Sequence, residues 1–123
     1  MKPGKTGIER LVDATHYSWK GFRAAYRQEA AFRQELLLLV VLFPASFWVA
    51  RTMVEWILLV LPLFLVLVVE LLNSAIESVV DRISDEAHAL SGQAKDMGST
   101  AVFFSLVMIA VAWVPITWMR WHG

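Results

Sequence analysis

Residues 70–81 constrain this chain more than any other stretch. They follow directly on 56–69, a continuous apolar run with Pro62 inside, and they carry Glu70, Asn73, Ser74, Glu77 and Asp81. An α-helix turns about 100° per residue, so these five side chains fall within an arc of about 100°. Leu71, Leu72, Ala75, Ile76, Val79 and Val80 fill the remaining arc. Hydrophobic residues make up 58% of the 123-residue chain and mean hydropathy is +0.56, which argues for a membrane protein. An ionised group near the bilayer centre costs at least ~2.5–3.5 kcal/mol. Three carboxylates on one stripe therefore point to function. The plainer alternative is interhelical hydrogen bonding through Asn73 and Ser74. Hydroxyls and amides would serve that purpose more cheaply than Glu70, Glu77 and Asp81 do.

Depth sharpens this reading. At ~1.5 Å rise per residue, Glu70 lies about 21 Å past Trp56 and Glu77 about 32 Å past it. The hydrocarbon core is ~30 Å thick. If Trp56 marks one interface, Glu77 and Asp81 stand at the opposite headgroup level and Glu70 lies several ångströms inside. The stripe runs as a ladder from lipid depth to water.

The rest of the chain arranges itself around this ladder as a single domain, 1–123. Residues 7–27 read as an amphipathic helix. Ile8, Leu11, Val12, Thr15, Trp19, Phe22 and Tyr26 share one side, and Glu9, Asp13, His16, Lys20, Arg23 and Arg27 the other. Large aromatics opposite a mostly basic flank suit a helix lying in the bilayer interface. Spans are expected at about 30–50, 55–81 and 93–119. Glu29 and Arg33 stand at i,i+4 and could pair. Arg51 to Glu55 reads as a short polar turn, and Ser91 as the N-cap of the last span. Ala94, Gly98, Ala101 and Ser105 offer a small-residue seam for close helix packing. Trp118 and Trp121 return the chain to the side of Trp48 and Trp56.

Charge gives the orientation. The N-terminal segment and the 82–95 loop hold nine Lys/Arg, the other side only Arg51 and Arg120. The positive-inside rule puts the N-terminus and the acidic cluster in the cytoplasm. A basic front beside an apolar body reads as membrane-surface contact, not nucleic-acid binding.

The cluster's chemistry is that of oxygen ligands plus one lysine: Glu29, Glu70, Asn73, Glu77, Asp81, Glu86, Lys95 and Asp96. That set suits Mg²⁺ with a phosphate-bearing substrate. There is no cysteine, and His16, His88 and His122 are scattered, so zinc is not indicated. No Walker-type, dinucleotide or protein-kinase motif occurs. A small proton-coupled exporter is the rival class, but the acids lie at one end of the span with a lysine nearby. Three spans enclose little space, so burying this many acids calls for a homo-oligomer.

YSWKG at 17–21, RAA at 23–25, EAAFRQE at 29–35, ELLNSAIESVVDR at 70–82 and LSGQAKDMGS at 90–99 closely resemble the bacterial integral-membrane diacylglycerol kinases. The likeness spans nearly the whole chain. It implies an all-α membrane protein, three transmembrane helices plus an N-terminal amphipathic surface helix, assembled as a homotrimer. It implies transfer of the γ-phosphate of MgATP to diacylglycerol, giving phosphatidic acid at the cytoplasmic face of the bacterial inner membrane. Related small membrane kinases act on undecaprenol, which is the alternative substrate. By position, the resemblance makes Glu70 the general base and Glu29 and Glu77 the metal ligands. Tyr17, Glu86, His88, Lys95 and Asp96 join those two glutamates at the nucleotide. Arg10, Ser18, Trp19, Arg23, Arg33, Glu35, Ser99 and Trp113 join Glu70 in the lipid pocket, with Asn73 and Asp81 in support. The chain departs from the family's pattern at Ala87, where a tyrosine stands, and at Gln93, where an arginine stands.

Overall fold

A computed structural model describes residues 6–83 and 88–123. They form four helices: α1 Ile8–Gln28, α2 Ala30–Val49, α3 Met53–Ile83 and α4 Ala89–His122. The last three are long and apolar enough to cross a membrane. At ~1.5 Å per residue the 20 residues of α2 reach about 30 Å, the 31 of α3 about 46 Å and the 34 of α4 about 51 Å. Only α2 matches the ~30 Å hydrocarbon thickness, so α3 and α4 have turns to spare beyond it.

A single extended residue, Glu29 (φ −117°, ψ 108°), separates α1 from α2. Its N–H donates to the Ala25 carbonyl at 2.9 Å, and its own carbonyl accepts from Arg33 N at 3.3 Å. The Arg33 guanidinium does not pair with Glu29 as the i,i+4 spacing suggested. It donates to the carbonyls of Tyr26 (2.7 Å) and Arg27 (3.3 Å). Helix C-termini leave carbonyls without partners, and a cation placed there answers both the hydrogen bonds and the dipole. Below the break, Phe22 packs edge-on against Phe32 at 5.3 Å, and Ala25, Phe32 and Leu67 are buried together.

Between α2 and α3 the polar turn is a capping arrangement. Thr52 Oγ1 accepts from Glu55 N (3.1 Å), and the Glu55 carboxylate accepts from Arg51 N (2.9 Å) and Arg51 Nη2 (3.0 Å). Arg51 Nη1 also donates to the Met119 carbonyl and Arg120 Nε to the Trp48 carbonyl. These bonds bring the end of α4 back to the α2–α3 turn, as the tryptophan pattern led one to expect.

Two sequence expectations shift in α4. Its N-cap is His88, not Ser91: His88 takes an extended conformation and its Nδ1 accepts from Leu90 N at 3.1 Å. The helix therefore starts early enough to leave Lys95 and Asp96 in its second turn. The packing seam passes through Gly98, Ser105, Ile109 and Ile116, while Ala101 is exposed and Val102 half-buried. From Gly98 to Ser105 both Ala101 and Val102 lie on helical steps of three and four residues, and the packing takes the side of Val102.

The buried line of α3 positions the site. Leu59, Leu63, Val66, Glu70 and Asn73 recur every three or four residues on one face. The first three pack against Ile109, Ile116 and Trp113. The same face then continues into Glu70 and Asn73. Trp113 ties the apolar half together, donating from Nε1 to the Leu59 carbonyl at 2.9 Å. Trp113→Phe keeps an aromatic ring at the seam but loses that bond and the five-membered ring that makes it. Unfolding in detergent should show a loss of about 1 kcal/mol.

Candidate functional site

The polar ends of α3 and α4, with α2, bring together Glu35, Glu70, Asn73, Glu77, Asp81 and Lys95. Glu70 is 4% exposed and Glu35 is 7% exposed. Glu35 reaches from α2 to within interaction range of the Glu70 carboxyl. Ser74 Oγ, one turn above Glu70, donates to Glu70 Oε2 at 3.3 Å. Glu35 Oε2 is buried with no partner among the described residues. Two carboxyl groups packed together out of water are an arrangement suited to accepting and passing a proton.

One turn further along α3 the site becomes wetter. Asn73 Nδ2 donates to Glu77 Oε1 at 3.2 Å. Lys95 from α4 contacts Asp81 Oδ1 at 2.6 Å and lies within electrostatic reach of Glu77. Both members of the Lys95–Asp81 pair are largely open to solvent. The graded face expected from the sequence is present: a dry carboxyl pair at one end and a solvated Glu77–Lys95–Asp81 group at the other.

A cavity of about 600 Å³ opens between α1 and α3, lined by Ser18, Phe22, Glu29, Leu71, Ser74 and Ser78 among others. That volume falls in the range of small-molecule sites. Ser74 belongs both to its wall and to the hydrogen bond on Glu70. Sequence reasoning counted Ser74 in the polar stripe and gave it no role beyond the interhelical hydrogen bonding of the plainer alternative. The signal that it does more is its i,i+4 spacing from Glu70.

Other residues lie apart. Glu29 lines the cavity that faces Leu71, Ser74, Ala75 and Ser78, whereas Glu77 is held by Asn73 on another face of α3. At about 100° per residue the two faces are about 110° apart. Arg10, Arg23, Asp96 and Ser99 are exposed, and Trp19 is exposed with its ring stacked on Phe22. Tyr17 is exposed with the Lys20 ammonium 6.0 Å from its ring. Trp113 sits at the level of Leu59, about 16 Å along α3 from Glu70. Glu86 and Ala87 lie outside the described residues. Among the described residues no three His, Cys, Asp or Glu side chains converge as a metal cluster. Carboxylate oxygens such as those of Glu29 and Glu77 are of the type Mg²⁺ takes, one or two at a time with phosphate and water completing its shell, although within one chain the two stand on different faces of the site.

The fold and the site together define a multi-pass helical membrane protein with a carboxylate-rich polar site at one end of its bundle. The profile described as "Prokaryotic diacylglycerol kinase" matches residues 16–117. A protein of Pseudomonas aeruginosa named diacylglycerol kinase is 53% identical over 113 residues, covering 92% of each chain. The diacylglycerol kinase of Escherichia coli is 45% identical over 118 residues, 96% of this chain and 97% of that protein. That of Helicobacter pylori is 40% identical over 113 residues, 92% and 88% respectively. The chain belongs to the prokaryotic diacylglycerol kinase family.

Proposed function

We propose that this protein transfers the γ-phosphate of MgATP to the hydroxyl of diacylglycerol, giving phosphatidic acid at the cytoplasmic face of the bacterial inner membrane. The observation that carries the reading is Glu70: buried at 4% exposure, beside Glu35, and tied through Ser74 to a cavity of about 600 Å³. A diacylglycerol hydroxyl lies just below the headgroups, and the distance of Glu70 along α3 from Trp56 supports a carboxylate at that depth.

In the reaction Glu70 accepts the proton of the lipid hydroxyl as that oxygen bonds to the γ-phosphorus. The bond from phosphorus to the β–γ bridging oxygen breaks, and ADP leaves. Phosphoryl transfer asks mainly for positioning and charge neutralisation. Lys95, held at the wet end by Asp81, supplies a mobile positive charge toward the phosphates. Asp96, Tyr17, His88 and Glu86 complete the nucleotide side. A divalent cation held through Glu29 and Glu77 would offset phosphate charge. Ser18, Trp19, Arg23, Arg33, Arg10, Glu35 and Ser99 serve the lipid's polar end, and Trp113 its acyl chains. The placing of Glu29 and Glu77 on different faces of the site is a reason to expect a neighbouring subunit there, in keeping with a homotrimer. The nine-to-two distribution of Lys/Arg supports a cytoplasmic N-terminus.

Phosphorylation of diacylglycerol and of undecaprenol, measured side by side with the pure protein, tests the substrate. Diacylglycerol should be strongly preferred. Preference for the polyprenol would overturn the assignment, and ATP use that ignores lipid would overturn the kinase reading.

A further inference from the structure

The family's acidic residues do not explain why a glycine stands at position 98. Gly98 is buried in the interior of α4 with ordinary helical dihedrals, where glycine is the weaker helix former. The reason is across the interface. A Cβ at Gly98 would stand 3.1 Å from Asn73 Cγ and would overlap Asn73 Oδ1 outright. Gly21 and Gly92, also helical, have nothing near the same position. Gly98 is thus the glycine of a membrane-length helix that a facing polar side chain requires.

Asn73 is 7% exposed, and its two amide atoms are treated unequally. Nδ2 donates to Glu77 Oε1, while Oδ1 is buried against Gly98 with no hydrogen-bond partner among the described residues. The orientation is chemically forced. A flipped amide would set its oxygen against the Glu77 carboxylate and bring two acceptors together. Keeping the N–H on Glu77 therefore commits the oxygen to Gly98, and only a residue without a Cβ leaves space for it. One turn away, Lys95 on α4 contacts Asp81 on α3. Glu77 lies between these two cross-helix contacts.

We propose that Gly98 is a positioning residue for the nucleotide side of the site: its missing Cβ seats the Asn73 amide oxygen and so aims the Asn73 N–H at Glu77. This rests on the reading of Glu77 as a group that holds the metal–nucleotide complex. Outer-shell partners of metal ligands are worth ~10–100-fold in metal affinity. Through this device α4 fixes a carboxylate that belongs to α3.

The test uses the full-length protein in detergent micelles. Binding of Mn²⁺ with a non-hydrolysable ATP analogue is followed by the electron paramagnetic resonance of free Mn²⁺, with unfolding measured alongside. Gly98→Ala and Asn73→Ala should each weaken Mn²⁺ binding ~10-fold or more. The double variant should be no weaker than Asn73→Ala alone, because the two residues act as one unit. Wild-type Mn²⁺ binding in Gly98→Ala, or losses that add in full, would overturn the proposal. If Gly98→Ala fails to fold, truncating Asn73 in the same chain removes the overlap. That double variant must then fold and bind as Asn73→Ala does; failure to fold overturns the proposal. Glu77→Gln separates the two levels. Weaker binding there with unchanged binding in Gly98→Ala sinks the positioning role alone. Unchanged binding in Glu77→Gln sinks the assignment of Glu77, and the positioning role with it.

Discussion

Replacing Glu70 with glutamine is expected to lower lipid phosphorylation by ~10²–10⁴-fold, the usual worth of a positioned general base, while nucleotide still binds. Glutamine matches the size of glutamate. Its carbonyl can still accept from Ser74 Oγ, which now lies 3.3 Å from Glu70 Oε2, and its amide can donate to the neighbouring Glu35 carboxyl. The variant therefore keeps the packing of the buried line on α3 and removes only the proton acceptor. Turnover by the purified variant, read together with its binding of an ATP analogue, checks this. Normal turnover would remove Glu70 as the base and leave Glu35 as the remaining buried carboxyl beside it.

Glu77→Gln is expected to raise the Mg²⁺ concentration needed for half-maximal activity by ~10-fold or more, the scale on which metal sites respond to loss of a supporting group. Here too the local hydrogen bond survives, since the glutamine carbonyl can accept from Asn73 Nδ2. What disappears is a negative charge beside Lys95 and Asp81. A shift in metal requirement with unchanged lipid dependence places Glu77 on the nucleotide side. An unchanged Mg²⁺ profile would count against it as a ligand. The two substitutions thus divide the graded face of α3 into a lipid end and a nucleotide end.

The helices themselves were legible in the sequence because the bilayer imposes long apolar runs. The face of α3 was legible too, because Glu70, Asn73 and Glu77 follow the helical period in an otherwise apolar setting. The details that escaped depend on side chains choosing among partners. Arg33 could meet Glu29 or the carbonyls ending α1, and spacing alone does not rank a carboxylate above a helix terminus. Ser91 is a common capping residue type, whereas a histidine cap such as His88 gives a weak sequence signal. Ala101 looked like part of the small-residue seam because the step from Gly98 is three residues, whereas Val102 and Ser105 continue the buried line. Gly98 itself was visible only as a small residue. Its contact with Asn73 appears once α3 and α4 are set against each other.

The central claim is that this bundle end moves phosphate from nucleotide to a lipid hydroxyl. The most direct measurement supplies the pure protein in mixed micelles with diacylglycerol and ATP radiolabelled in the γ-phosphate. The label should appear in phosphatidic acid, in proportion to diacylglycerol, and should fail to appear with Glu70→Gln. Label released as inorganic phosphate whether or not lipid is present, or phosphatidic acid formed at the wild-type rate by Glu70→Gln, would contradict it.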